Sequence, residues 1–129
     1  MVKISRLFLF YKELMNMANT EELLNKLYQR MSAEQEQYRD RLLGLPPDEI
    51  LNHAAEYTVR EDIVYLMEEV ELTDAQTKAL LKSKTPLADV YKVWEKTETH
   101  YMEDVRSVVE ARANDVIQAE KEKARQEAR

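Results

Sequence analysis

The chain reads as an all-α protein, a compact helical bundle of four to six helices with one long C-terminal helix. Three observations predict this class. One Gly and three Pro in 129 residues are far too few turn-formers for a sheet protein, which needs a reversal every ten residues or so. Apolar residues recur at spacings of three, four and seven over long stretches, the signature of a helix with one buried face. The composition, 44% apolar and 34% charged, suits amphipathic helices around one core, and the length fits one domain.

The elements follow in order. Asn19-Thr20-Glu21-Glu22 has the form of a helix start, with Asn19 as N-cap and Glu22 three residues on. The preceding run Leu7 to Tyr11 is apolar and flanked by Lys3, Arg6 and Lys12, but it is shorter than the roughly 7–15 apolar residues of a secretory signal. Two readings of residues 1–16 stand side by side. One is a short amphipathic helix using Ile4, Leu7, Phe8, Tyr11 and Met15. The other is an extension upstream of a translation start at Met17, since Lys12-Glu13 is compatible with a purine-rich ribosome-binding sequence. Losing Lys3, Arg6, Lys12 and Glu13 would move the net charge from −6 to −8. Residues 1–18 are therefore set apart from a helical domain over 19–117 and a charged tail over 118–129.

From Thr20 to Leu43 the stripe Leu24, Tyr28, Met31, Gln35, Tyr38, Leu42 predicts an amphipathic helix. Gly44 is placed to end it in the left-handed conformation, and Pro46-Pro47 prevents continuation. Pro47, Asp48 and Glu49 suit the first turn of a second helix, with Ile50, Ala54 and Tyr57 inward. Thr58-Val59-Arg60-Glu61 has the capping-box pattern. It predicts a break near Thr58 and a restart toward Glu69, with Ile63, Val64 and Met67 inward; one continuous helix is the alternative. Thr73 and Gln76 predict a capped short helix to about Lys82 carrying Ala79, Leu80 and Leu81. Thr85-Pro86 opens the last element. Leu87, Tyr91, Trp94, Tyr101, Val105, Val108 and Val116 share its stripe, Trp94 is expected in the core, and no Gly or Pro interrupts it before Arg129. At 1.5 Å per residue it would reach about 65 Å, too long for the other helices to cover.

Little of this supports catalysis. There is no cysteine, hence no disulfide framework and no thiolate nucleophile or ligand, which points to the cytoplasm. A single glycine excludes Gly-rich phosphate loops. A di-iron bundle wants Glu-x-x-His twice, but the residues three before His53 and His100 are Ile50 and Thr97. No metal, no cofactor and no enzymatic activity are expected. The net charge of −6 opposes direct binding to nucleic acid or an anionic membrane, and no stretch approaches the roughly 20 apolar residues of a membrane span.

What remains are surfaces. Tyr57, Arg60, Glu61 and Asp62 form the densest polar and aromatic cluster, either a recognition surface at a helix break or merely a cap with solvated neighbours. Glu68, Glu69 and Glu71 form an acidic patch. Residues 61–82, with Lys78, Lys82 and nearby Lys84, outline a helix-turn-helix, for which an ordinary packed corner is the alternative. On the last helix, Val108 and Val116 with Arg112 and Asp115 are candidates for an antiparallel seam in a homodimer, the charges setting register.

Several separated segments also look familiar: Glu34 to Asp40, Leu45 to Ala54, Tyr57 to Ile63, Leu87 to Tyr91 and Ala111 to Ile117. Together, over roughly residues 19–117, they resemble a small domain of unknown function carried on conjugative elements and prophages of gut Firmicutes. The resemblance implies a setting, a mobile genetic element, rather than a mechanism. Small acidic proteins of such elements often antagonise host defence. The sharpest expectation is a protein-binding inhibitor of a nuclease, of the anti-CRISPR type with a Cas9-like target, acting by blocking its activation or by occupying its nucleic-acid channel with acidic helix faces. The alternatives are a non-inhibitory regulatory or structural partner protein and a helix-turn-helix DNA-binding regulator.

Overall fold

The computed structural model describes residues 2–129, and side chains from residue 6 onward. Among the described residues the backbone forms six helices and no strand: α1 (Val2–Leu43), α2 (Pro47–Asn52), α3 (Ala54–Leu66), α4 (Asp74–Leu81), α5 (Pro86–Lys96) and α6 (Tyr101–Glu127). Among the described residues no helix is long and apolar enough to cross a membrane. The chain divides into two units, Met1–Glu95 and Lys96–Arg129.

In the first unit α1 is the spine on which α2, α3 and α4 pack. Leu27 and Met31, one turn apart on α1, and Leu87 on α5 have no exposed surface and form the core centre. Ile63, Val64 and Met67 close it from the α3 side, Leu72, Leu80 and Leu81 from the α4 side, and Val90 from α5. Each fully buried aliphatic side chain contributes about 1.5–3 kcal/mol of transfer free energy. Further along α1, Gln35, Tyr38 and Leu42 continue the buried stripe.

Polar side chains of α1 pin the other helices at successive turns. Thr20 Oγ1 lies 2.8 Å from Asp74 Oδ1 in the first turn of α4. The Tyr28 hydroxyl donates to Glu68 (3.0 Å). Arg30 Nη1 donates to the carbonyls of Leu81 (2.7 Å) and Ser83 (3.2 Å), satisfying groups left unpaired where α4 ends. Glu34 does the converse for α5, accepting from the N–H groups of Leu87 (2.8 Å) and Ala88 (3.2 Å). A carboxylate at a helix N-terminus is favoured both by those donors and by the dipole.

The capped short helix forms as the sequence predicts. Gln76 N–H donates to Thr73 Oγ1 (3.1 Å) and Thr73 N–H donates to Gln76 Oε1 (2.9 Å), a complete capping box. Pro47 opens α2 with Asp48 and Glu49 in the first turn. Other expectations are corrected. Asn19 caps nothing, because α1 runs straight through it and Thr20 turns its hydroxyl back toward the Asn16 carbonyl (2.9 Å). The preceding residues contain no Gly or Pro, so propagation outweighs the weak local preference of Asn and Thr for caps. Gly44 is not left-handed. Its N–H and that of Leu45 bond the Arg41 and Leu42 carbonyls in tightened turns, and the two prolines stop α1 by themselves.

The break expected at Thr58 lies at His53 instead, and the Thr58 hydroxyl bonds the Ala54 carbonyl (3.0 Å) from within α3. Leu27, absent from the expected stripe, takes the central place, while Leu24 and Tyr28 are half-buried and Ala79 is exposed. The long last helix is two helices. Thr97 to His100 are non-helical, and α6 begins afresh with Glu103 and Asp104 in its first turn. Trp94 is 44% exposed rather than buried, because the helix face it shares with Leu87 runs past the end of the core.

Candidate partner-binding surfaces

The Tyr57–Asp62 cluster divides on folding. Arg60 turns inward and is 9% exposed. Its guanidinium lies 4.2 Å from the Tyr38 ring centroid and 5.6 Å from that of Tyr91. Its Nε sits 3.2 Å from Glu56 Oε2, within ion-pair reach but not aligned for a hydrogen bond. A cation between two aromatic rings is stabilised by about 0.5–2 kcal/mol and is less exposed to water than a surface pair. The Tyr57 ring stacks on Tyr38, with centroids 6.5 Å apart and planes 15° from parallel. Gln35 Nε2 donates to the Tyr57 carbonyl (3.2 Å) and to Glu61 Oε1 (3.1 Å). Arg60 is therefore part of the joint between α1, α3 and α5 rather than a solvated neighbour of a cap. Burial, reinforced by the Glu56 carboxylate and opposed by Arg60, pushes the Tyr38 hydroxyl above its ordinary value of 10.0. Burial first, then neighbouring carboxylates, also raises Tyr57 and Tyr91.

Asp62 points the other way. With Val59, Ile63 and Leu66 of α3 and Val90 and Trp94 of α5 it lines an open groove of about 250 Å³. Sequence reasoning missed this groove because it assigned Trp94 to the core. Trp94 stands two turns beyond Leu87 on the same helix face, and that spacing alone does not show that the core ends before it. Glu68, Glu69 and Glu71 are exposed in the turn and loop after α3. Lys78, Lys82 and Lys84 are exposed as well, but α3 and α4 are separated by the residues from Met67 to Thr73, a longer connection than the three or four residues of a helix-turn-helix.

The second unit is dominated by α6, and a single helix has no neighbour in its own unit to bury an apolar face against. Val105, Val109, Arg112 and Val116 fall on one stripe by their spacing of four, three and four, with Tyr101 and Val108 beside it. Val105 and Val116 are 39% exposed and Val108 is 68% exposed. Tyr101, Asp104, Val105, Val108 and Val109 form a shallow apolar concavity. Arg112 and Asp115 are exposed, Arg112 in the middle of the stripe and Asp115 on its edge. Glu122 and Arg125 are 4.0 Å apart in the charged last third.

Among the described residues no group of three or more His, Cys, Asp or Glu side chains is placed to hold a metal ion. The His100 ring and Glu103 are 3.1 Å apart and largely exposed at the start of α6. The geometry thus defines a small all-α protein whose distinctive features are uncovered apolar surface and acidic helix faces. A family model described as a protein of unknown function, DUF3848, matches residues 23–117, and the chain belongs to that family. The match reaches from the core half of α1 into α6 and leaves the charged tail outside. No curated protein and no solved structure matches the chain.

Proposed function

We propose that this chain is a protein-binding accessory factor whose principal contact is α6. The observation that carries the reading is the exposed apolar stripe of that helix. Val105, Val108, Val109 and Val116 are all 39% exposed or more, an apolar face that chains rarely leave uncovered unless it meets a partner. Arg112 within the stripe requires an acceptor from whatever covers it, since an unpaired buried guanidinium is costly.

In its sharpest form the partner is a host defence nuclease of the Cas9 type, the chain being the product of a mobile genetic element. What favours that form is the one-sided charge of α3 and the loop after it, where Glu61, Asp62, Glu68, Glu69 and Glu71 are all exposed and offer a channel that binds phosphates a competing set of negative charges. A regulatory or structural partner is the competing form, and a second copy of the chain is a third candidate for α6.

Affinity capture with the wild type and a Val108→Glu, Val116→Glu variant tests the general reading. The expected result is one or more proteins held by the wild type and lost by the variant. Equal capture by both removes α6 from the interface. Light scattering at high micromolar concentration separates self-association, and a DNA-cleavage assay with purified Cas9 tests the sharpest form. There, Gln at 68, 69 and 71 together is expected to weaken inhibition, and added salt to weaken it further.

A further inference from the structure

A second surface, on the other unit, has its own chemistry. The groove between α3 and α5 is walled by Val59, Ile63, Leu66, Val90 and Trp94. Leu66 is 55% exposed and Trp94 44% exposed, so two large apolar side chains stand half in water at its rim. At about 250 Å³ the groove accepts one or two side chains, the scale of a peptide segment rather than of a folded domain. Tryptophan in a partly open apolar setting is the residue type that most often anchors an interface.

The charge around the groove has one sign on the α3 side. Asp62 is part of the wall and forms no ion pair among the described residues; exposed Glu69 and Glu71 follow α3, while Glu68 is held by the Tyr28 hydroxyl of α1. The only basic residue of α3, Arg60, faces the opposite way and pairs with Glu56. On α5, Lys92 and Lys96 fall by helical spacing on the side away from Leu87, far round the helix from Val90 and Trp94.

We propose that the α3–α5 groove binds a basic amphipathic segment of a protein partner, an apolar side chain seating against Trp94 and Leu66 while Lys or Arg side chains lie over Asp62 and Glu69. The inference rests on the protein-binding reading but on a surface separate from α6. The groove selects for the apolar anchor and excludes a purely ionic ligand, and the acidic rim selects the sign of the partner's charge.

Trp94 is the only tryptophan, so its fluorescence reports the groove directly in the full-length protein. The probes are three synthetic helical peptides of about 14 residues, four turns: Leu/Lys amphipathic, Leu/Glu amphipathic, and Ala/Lys without an apolar face. The Leu/Lys peptide is expected to shift Trp94 emission to the blue with saturation, and the other two to leave it unchanged. An Asp62→Lys, Glu69→Lys variant is expected to weaken that binding about ten-fold or more, as reversal of two contacting charges would. A Glu21→Lys, Glu22→Lys variant, with the same change in net charge on a distant exposed site, is expected to bind as the wild type does. Equal weakening by both variants, a matching response to the Leu/Glu peptide, or no shift at all overturns the proposal. The Val108→Glu, Val116→Glu variant should keep the Trp94 response, so failure of the α6 reading and failure of this one remain distinguishable.

Discussion

Leu27 and Trp94 exchange the roles that their side chains suggest. Leu27 has no exposed surface and touches the centre of the core, so Leu27→Ala is expected to cost about 2–5 kcal/mol, lost transfer energy plus a cavity. Trp94 is 44% exposed, and Trp94→Ala should cost much less than the 3–5 kcal/mol typical of a core tryptophan. Paired thermal or denaturant melts of the two variants check this, and equal losses would contradict the placement of Trp94. Tyr38 supplies a pH dependence. The residue is 5% exposed, and burial holds its hydroxyl above the ordinary 10.0. A raised pKa in the folded state means that its stabilising contribution is complete below pH 10 and is lost as pH rises beyond it. Alkaline titration should therefore show stability falling above about pH 10, with a shallower fall in Tyr38→Phe. An identical pH profile in that variant would remove Tyr38 as the cause.

Single elements depend on side chains contributed by others. α4 carries its own N-cap, so Thr73→Ala should cost about 1 kcal/mol and act locally. The start of α5 instead relies on Glu34 of α1, which accepts from Leu87 and Ala88 N–H groups. Glu34→Ala should cost about 1–2 kcal/mol, more than an ordinary surface substitution, because it strands two donors beside buried Leu87. Hydrogen exchange is the discriminating measurement: Glu34→Ala should expose the first amides of α5 before those of α4, and uniform acceleration across both helices would contradict the cross-helix cap. The interruption between α5 and α6 has a comparable origin. Thr97 and Thr99 are β-branched and poor helix formers, and Glu98, which helical spacing would put on the face of Leu87 and Trp94, brings no apolar side chain to offset that.

At the scale of the molecule, the core residues all lie between Leu27 and Val90. Truncation after Glu95 should leave a cooperatively folding unit with a melting temperature within a few degrees of the full chain. Circular dichroism decides it, and loss of cooperative melting in the truncated chain would show that the first unit does not stand alone. Deleting residues 1–16 should also leave the melt in place. Leu7, Phe8, Leu9, Phe10 and Tyr11 are each more than half exposed, so the deletion removes apolar surface from water, and its expected effect is better solubility.

The sequence by itself determined the helical class, the stop at Pro46-Pro47, the capping box of α4 and most of the apolar positions that face the core. These depend on nearest neighbours along the chain, through backbone stereochemistry, local hydrogen bonds and periodicity, which a linear reading contains. It also singled out Tyr57, Arg60, Glu61 and Asp62 as unusual without resolving their division. Arg60 goes inward to Tyr38, Tyr91 and Glu56, and Asp62 goes outward to a groove, because α1 and α5 cover one side of α3 and leave the other open. The continuity of α1 through Asn19, the break at His53 and the separation of α5 from α6 were likewise decided in three dimensions, where small local preferences of Asn, Thr and His are outweighed by whichever helix faces find something to bury against.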